Sequence, residues 1–190
     1  MIKFSENEWI INHDSENYKR MKIEDGKLLN VLINSFVMLY NYDEHLINNS
    51  PYILDSNGNT NDQIGTKHHV GERSIVFRFG YYLQKQLEKS EYKNYNVDCE
   101  YNRNGENAKT LPSFPKGVYP DLIIHKRGNN KNNLLIVEFK TYWNSDTQHD
   151  IEKINEFINP DGEYKYKYGM SVLIDEDNPV IEVVDYSKRS

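Results

Sequence analysis

Two apolar runs decide the fold of this chain: Val118-Tyr119-Pro120-Asp121-Leu122-Ile123-Ile124-His125 and, after a polar loop, Leu134-Leu135-Ile136-Val137-Glu138-Phe139-Lys140. Turn-forming residues precede both runs, which predicts two strands joined by the polar loop. The second run is apolar on both faces, as expected for a central strand that is covered on both sides. We therefore expect a hairpin at the centre of a buried sheet.

Charged residues interrupt the apolar pattern at the end of the second run. Side chains alternate across a strand, so Glu138 and Lys140 are predicted to lie on one face. Asp121 begins the neighbouring run, and pairing of the runs would bring two carboxylates and one ammonium to one edge of the sheet. Buried charges are costly unless they are paired, and two close carboxylates recruit a cation. A hard divalent ion such as Mg²⁺, which prefers oxygen ligands, suits this arrangement.

The motif Pro120-Asp121, a spacer and then Glu138-Phe139-Lys140 resembles the signature of the PD-(D/E)XK nuclease superfamily, which has the restriction-endonuclease-like fold. Similar short motifs that we interpret as solvated surface are Glu91-Tyr92-Lys93, Glu163-Tyr164-Lys165 and Asp25-Gly26-Lys27. Among these motifs, only Glu138-Phe139-Lys140 lies at the end of a predicted apolar strand. It is also the only one preceded by a strand that begins with Pro-Asp and is close enough in sequence to form a hairpin with it. The alternative is a hairpin whose strand-end charges form a surface salt bridge, which would contribute little to stability.

The resemblance implies an α/β fold with an αβββαβ core, in which helices flank a central mixed sheet. It also implies a Mg²⁺ or Mn²⁺ cofactor held by Asp121 and Glu138, with the Phe139 carbonyl as a third oxygen ligand. Lys140 would position the attacking water or stabilise charge in the transition state. The alternative role for Lys140 is a salt bridge to Glu138.

A helix is predicted over residues 66–90, and Glu72 is the charged residue on its apolar stripe. The apolar members of that stripe are Val76, Phe79, Leu83 and Leu87. Superfamily members often carry an acidic residue on the first core helix, so the resemblance makes Glu72 a candidate ligand of metal or water. The alternative is a carboxylate in an exposed first turn that complements the helix dipole. His68 and His69 lie one turn earlier, and we expect a surface position for at least one of them.

The other patterns complete the order of elements. An earlier helix is predicted with Leu29, Leu32, Ile33, Phe36 and Tyr40 on one face, and a strand over residues 94–103 with Tyr95, Val97, Cys99 and Tyr101 on one face. A capping box (Ser145 to Gln148) precedes an amphipathic helix, and two closing strands follow near residues 167–174 and 180–184. We predict an N-terminal helical extension over residues 1–62 that packs on a nuclease-like domain over residues 63–190.

Basic residues near the predicted site are further candidates. Arg103, Lys109 and Lys116 are candidates for phosphate contact from a long loop, with Phe114 as a stacking surface. The favoured interpretation of this segment is a solvated loop. Lys153 and Gln148 are close enough in sequence to reach the site from the amphipathic helix, although the surface is the expected place for both.

Composition limits the function classes. The net charge of −6 over 190 residues argues against tight, unaided binding to long duplexes, and leaves a transient substrate, a partner subunit or lost activity. Superfamily members often act as dimers, so the resemblance also leaves a homodimer open. Cys99 is the single cysteine, which excludes an internal disulfide, and its thiol is expected to be buried. No apolar run has transmembrane length and no signal-peptide pattern is visible, so we expect a cytoplasmic protein that does not enter membranes.

The sequence therefore predicts metal-dependent hydrolysis of phosphodiester bonds in nucleic acid, with DNA favoured over RNA. The alternative is a non-catalytic module on the same fold that binds nucleic acid or protein. A hydrolase of small molecules is disfavoured because the sequence has no Gly-x-Ser-x-Gly motif, no P-loop and no Cys/His cluster.

Overall fold

The structure is a computed structural model and describes residues 25–48, 69–144, 148–176 and 179–184. Its helices are α1 (Gly26–Tyr42), α2 (Glu44–Ile47), α3 (Glu72–Leu87) and α4 (Gln148–Phe157). Its strands are β1 (Asn96–Cys99), β2 (Arg103–Asn104), β3 (Asn107–Ala108), β4 (Leu122–His125), β5 (Asn133–Thr141), β6 (Tyr168–Ile174) and β7 (Pro179–Val184). The predictions for residues 1–24, for His68, for the Ser145 cap and for the side chain of Gln148 lie outside the described residues.

The larger sheet has the strand order β1-β4-β5-β6-β7. β1, β4 and β5 pair antiparallel, β5 and β6 pair parallel, and β7 returns antiparallel to β6. α1 and α3 pack against one face and α4 against the other. The described part is thus an α/β structure with a mixed five-stranded sheet flanked by helices, as predicted; the division at residue 62 stays a prediction.

β5 is the covered central strand of this sheet. Its residues from Asn133 to Phe139 are all buried, which the continuous apolar run predicted. Val137 and Phe139 belong to the core shared with α1 and α3, whereas Ile136 belongs to the core beneath α4. Strand alternation therefore places Glu138, like Ile136, on the α4 side of the sheet.

α1 differs from its prediction in phase. Asp25 is its N-cap, and the Asp25 carboxylate accepts hydrogen bonds from the main-chain N–H groups of Lys27 and Leu28. Leu28 is fully buried, whereas Leu29, predicted to face the core, is 39% exposed. The predicted members Leu32, Phe36 and Tyr40 are buried, and Phe36 contacts Phe79 of α3 with ring centroids 4.3 Å apart. The stripe differs in that Leu28, Val31 and Leu39 complete it instead of Leu29 and Ile33.

The predicted single face of residues 95–101 is wrong at Tyr101. Val97 packs with the α1 and α3 core, whereas Tyr101 packs beneath α4 on the opposite side. Glu100 has a φ of 49°, which lies in the left-handed region and breaks the alternation of the strand. Cys99 as a residue is exposed at the edge of the sheet, but its Sγ lies against α3, 3.9 Å from the Val76 carbonyl oxygen, so the thiol is partly buried.

Close packing of α3 on β1 and β4 depends on Gly80. A methyl group there would lie 3.1 Å from Cys99 Sγ and 3.3 Å from Leu122 Cδ1. We predict that Gly80→Val lowers the free energy of unfolding by about 1–3 kcal/mol, because overpacking moves the helix from the sheet. Urea denaturation measures the effect. Gly71→Ala is the control, since its added methyl meets nothing within 4 Å, and an equal loss in both variants would refute the packing explanation.

Across the described residues, none of the helices combines the length and the apolar character needed to span a membrane.

Candidate active site at the end of the central strand

The site forms where β5 extends past the end of β4. The β4–β5 ladder ends at the pair Leu122–Val137, so Asp121 lies just outside it. The Phe139 N–H donates a hydrogen bond to Asp121 Oδ2 over 2.7 Å. The carboxylate thus takes the place of the main-chain carbonyl that would accept this bond if the β4–β5 ladder continued. Because the N–H and C=O of one strand residue point to the same side, the Phe139 carbonyl also points toward this edge.

Glu138 is the most deeply buried acid of the site, with only 1% of its surface exposed. Its Oε2 accepts from Lys153 Nζ at 2.6 Å. Its Oε1 is buried and has no hydrogen-bond partner among the described residues. This burial contradicts the alternative of a surface salt bridge at the strand end.

Lys140 pairs with the helix rather than with its neighbour on the strand. Lys140 Nζ lies 2.8 Å from Asp150 Oδ2, while Lys153 holds Glu138 and lies 3.7 Å from Asp150 Oδ1. The strand thus supplies an acid and a base, and α4 supplies the opposite partner for each. The predicted alternative of a Lys140–Glu138 salt bridge is wrong, and so is the expected surface position of Lys153.

The partners on α4 follow from the phase of that helix. Asp150, Lys153, Ile154 and Phe157 are spaced i, i+3, i+4 and i+7, so they share one face. The apolar end of this face is buried beneath the sheet, and its charged end reaches Glu138 and Lys140. Asp150 was not predicted. The signal was present, because a charged residue on an apolar helical stripe is the same feature that identified Glu72.

Glu72 is the first residue of α3 and is half-buried at the same end of the sheet. Burial raises the pKa of its carboxyl to about 7; the Lys140 ammonium opposes this shift, and the Asp121 and Asp150 carboxylates add to it. Its Oε2 is buried without a partner in the described part of the chain. An acid that served only the helix dipole would keep its pKa low, so the dipole explanation alone is insufficient.

The site carries more carboxylates than ammonium groups. Its carboxylates are Glu72, Asp121, Glu138 and Asp150, and its ammonium groups are Lys140 and Lys153, which leaves a formal charge of −2 when all are ionised. Burial raises the pKa of Asp121, although the hydrogen bond from Phe139 opposes this. Burial and the nearby Asp121 carboxylate raise the pKa of Glu138 well above its usual value. The cluster therefore favours a bound proton or a bound cation.

Oxygen atoms at the end of β5 are the candidate ligands of a divalent ion. Within the described ranges, no group of three or more His, Cys, Asp or Glu side chains is arranged to hold a metal. The set implied by the resemblance is smaller, with two side-chain carboxylates, Asp121 and Glu138, and the main-chain oxygen of Phe139. These are the hard oxygen donors that Mg²⁺ and Mn²⁺ use, and the unpartnered Glu138 Oε1 suits such an ion.

Aromatic rings border the site. The His69 ring stacks on Trp143 with centroids 4.4 Å apart, and Tyr142 meets Trp143 edge-on at 4.7 Å. His69 lies three residues before Glu72 and Trp143 lies three residues after Lys140, so the stacked pair joins the chain segments that carry two residues of the charged cluster. Trp143 is thus a natural fluorescent reporter of binding there.

Only some of the candidate phosphate contacts in the loop before β4 are exposed. Arg103 and Lys116 are exposed, but Lys109 is 2% exposed and Phe114 is half-buried beneath α4. Lys109 Nζ lies 4.9 Å from the centroid of the Tyr164 ring, and burial lowers its pKa to about 8. Lys109 therefore attaches the loop to the body of the protein by cation–π contact and does not face a substrate.

Comparisons of this chain with protein-family models, with curated proteins and with solved structures find no match. The functional interpretation therefore depends on the geometry of the site and on the resemblance of the Pro120-Asp121 and Glu138-Phe139-Lys140 motif.

Proposed function

We propose that this chain is a metal-dependent nuclease that hydrolyses phosphodiester bonds in nucleic acid, with DNA favoured over RNA by the superfamily resemblance. One observation carries the proposal. Asp121, Glu138 and Lys140 converge at the end of the central strand, and an oxygen of buried Glu138 is left without a partner in the described structure. A structural salt bridge does not require that oxygen, whereas a cation site does.

The order of elements supports a restriction-endonuclease-like core. α3, β1, β4, β5, α4 and β6 follow one another as helix, three strands, helix and strand. The antiparallel β1-β4-β5 unit followed by a parallel β5-β6 pair corresponds to the αβββαβ arrangement of that fold. In this proposal the β2–β3 hairpin is an insertion and β7 an added edge strand.

Asp121, Glu138 and the Phe139 carbonyl would hold the divalent ion, with Glu72 as a further or water-mediated ligand. A bound divalent ion at this position polarises a phosphoryl oxygen and lowers the pKa of water. Burial raises the pKa of the Glu72 carboxyl to about 7 when no ion is bound, and a divalent ion beside it would favour the carboxylate form. The protein residues thus provide an anionic cradle for the ion.

Lys140 is suited to the role of a fixed cation. Burial opposes its charged form, but pairing with Asp150 outweighs this and raises its pKa. A lysine with a raised pKa does not act as a general base at neutral pH, so Lys140 would stabilise negative charge on the phosphoryl group. Asp150 is then a positioning residue that holds the Lys140 ammonium at the edge of the sheet.

Lys153 competes with the divalent ion for Glu138 in this proposal. Its ammonium lies 2.6 Å from Glu138 Oε2 and neutralises that carboxylate, a task that a divalent ion would also perform. Ion binding and the Lys153–Glu138 pair therefore compete for the same carboxylate. Release from Glu138 would leave Asp150 Oδ1, at 3.7 Å, as the remaining carboxylate near the Lys153 ammonium, a long contact that a substrate phosphate would be able to replace.

The second candidate is a non-catalytic module that binds nucleic acid or protein on the same fold. The reciprocal pairs Lys153–Glu138 and Lys140–Asp150 favour it, because they neutralise much of the cluster without a metal. The net charge of −6 also favours a partner that is not a long duplex. Metal-dependent turnover separates the two candidates.

Lys140→Ala tests the proposed function. We expect the rate of metal-dependent cleavage to fall by at least about 1000-fold, because a charge-stabilising group is removed. The Mn²⁺ affinity, measured by calorimetry, should change little, since Lys140 is not a ligand. Lys131→Ala is the control, as Lys131 is exposed in the loop between β4 and β5 and lies outside the site. Cleavage that persists in Lys140→Ala would refute the assignment.

A further inference from the structure

An exposed tyrosine lies beside a proposed metal ligand at the edge of the sheet where β4 begins. Tyr119 is 56% exposed and lies two residues before Asp121. At most about 7 Å of extended main chain therefore separates their Cα atoms. The proposed ligand set makes no use of this ring. A single exposed apolar residue needs no explanation on a protein surface, but one fixed next to a metal ligand is placed to contact the substrate.

The main chain on both sides of Tyr119 is held in place. Val118 and Pro120 are buried, and the Val118 N–H donates to the Lys109 carbonyl at 2.8 Å. Proline keeps the residue before it extended, so Pro120 also restricts the main chain of Tyr119. The exposed ring is thus carried by a fixed segment, which lowers the entropic cost of binding a flat partner.

A second group of aromatic rings lies at the same edge of the sheet. β4 and β5 are antiparallel, so the start of β4 and the end of β5 meet there. Trp143 lies two residues past the end of β5, and its ring stacks on His69 with centroids 4.4 Å apart. Aromatic rings therefore flank the charged cluster on both of the strands that carry it.

The charges at this edge suit a single strand better than a duplex. The two lysines of the cluster are already paired with carboxylates, and Lys116, three residues before Tyr119, adds one exposed cation. Double-stranded DNA carries one negative charge per about 1.7 Å of axis, whereas one strand carries one per about 3.4 Å. A protein with a net charge of −6 repels the denser polymer more strongly. Stacking on aromatic rings supplies affinity that does not depend on cations.

We propose that the candidate active site acts on single-stranded nucleic acid, and that an unpaired base next to the cleaved phosphate stacks on the Tyr119 ring. Every base has a flat face, so this contact tolerates any sequence. In a duplex the neighbouring base pairs cover those faces, whereas the bases of a single strand are able to turn outward. Cleavage of the strand rests on the proposed nuclease function, but its binding is measurable without cleavage.

Fluorescence anisotropy of labelled oligonucleotides tests the stacking contact. Oligothymidylate and oligouridylate are titrated with Ca²⁺, which also binds oxygen ligands, in place of Mg²⁺, and electrophoresis verifies that the strands stay intact. We expect the single strand to bind at least about 10-fold more tightly than a duplex of equal length, and Tyr119→Ala to weaken single-strand binding about 10-fold. Tyr119→Phe keeps the ring and should bind like the wild type, which separates stacking from a role of the hydroxyl.

Cleavage kinetics give a second readout of the same contact. Tyr119→Ala should raise KM for a single strand about 10-fold and change kcat little, because the ring contacts a base and not the reacting phosphate. Tyr42→Ala is the matched control, since Tyr42 is a 70% exposed aromatic residue at the end of α1, which packs on the face of the sheet opposite α4. Circular dichroism spectra and melting curves that match the wild type would establish that both variants are folded.

Three results would overturn the single-strand proposal. The duplex would bind more tightly than the single strand, Tyr119→Ala would bind the single strand like the wild type, or Tyr42→Ala would weaken binding as strongly as Tyr119→Ala. Each of these results leaves metal-dependent cleavage, and hence the proposed nuclease, unaffected. Single-strand binding through Tyr119 without any cleavage in Mg²⁺ or Mn²⁺ would instead count against the nuclease and support a single-strand site on the non-catalytic module.

Discussion

Asp121→Asn is expected to abolish divalent-metal binding and cleavage while it stabilises the metal-free protein. The asparagine oxygen is still able to accept the hydrogen bond from Phe139, so the strand end should keep its geometry. The charge is lost, however, and burial makes that charge unfavourable, as the raised pKa of Asp121 indicates. We expect Mn²⁺ affinity to fall at least about 100-fold and the free energy of unfolding to rise by about 1 kcal/mol.

Calorimetric titration with Mn²⁺ and urea denaturation without metal measure the two effects of Asp121→Asn. Asp161→Asn is the control, because Asp161 is exposed in the turn that follows α4 and makes none of the contacts of the site. It removes the same charge from the protein and should change neither quantity. Unchanged Mn²⁺ affinity in Asp121→Asn would exclude Asp121 as a ligand.

Lys153→Met is expected to destabilise the protein by about 3 kcal/mol at pH 8, because it leaves Glu138 as a buried carboxylate without its partner. The loss should shrink as the pH falls. The pKa of Glu138 in the folded protein is already raised by burial, and removal of Lys153 raises it further. The folded state then gains stability from protonated Glu138 at low pH, and this contribution is lost as the pH rises through the folded pKa.

Two further measurements sharpen the Lys153 prediction. The double variant Lys153→Met with Glu138→Gln should recover most of the lost stability, because neither charge is then buried alone. Mn²⁺ should raise the melting temperature of Lys153→Met more than that of the wild type, since the ion and Lys153 compete for Glu138. A loss of stability that is independent of pH, or a double variant as unstable as the single one, would show that Lys153 contributes packing rather than charge.

The central part of the fold was predictable because strand signals there are local. The apolar runs on either side of the polar loop specify β4 and β5, and alternation along β5 predicts that Glu138 and Lys140 share a face. The pairing of adjacent strands then brings Asp121 to the same edge. The convergence of these side chains thus follows from short-range patterns and one hairpin.

The features that the sequence did not predict correctly depend on tertiary contacts, which no short sequence pattern specifies. Tyr101 changes face because Glu100 adopts a left-handed conformation, and nothing in its neighbours requires that. The sequence allows a buried stripe on α1 that begins at Leu28 or at Leu29. Packing against α3 buries Leu28 and leaves Leu29 out of the core. Lys109 resembles any solvated lysine in sequence, and its aromatic surroundings come mainly from residues more than forty positions away.

The most direct measurement of the central claim is cleavage of end-labelled single-stranded and double-stranded DNA and RNA by the wild-type protein. Each polymer is incubated with Mg²⁺, with Mn²⁺ and with a chelator, and Asp121→Asn is assayed beside the wild type. We predict cleavage of DNA that requires the divalent ion and is absent in the variant. A folded wild-type protein that cleaves none of the polymers with either ion, or that cleaves them equally in the chelator, would contradict the proposed nuclease.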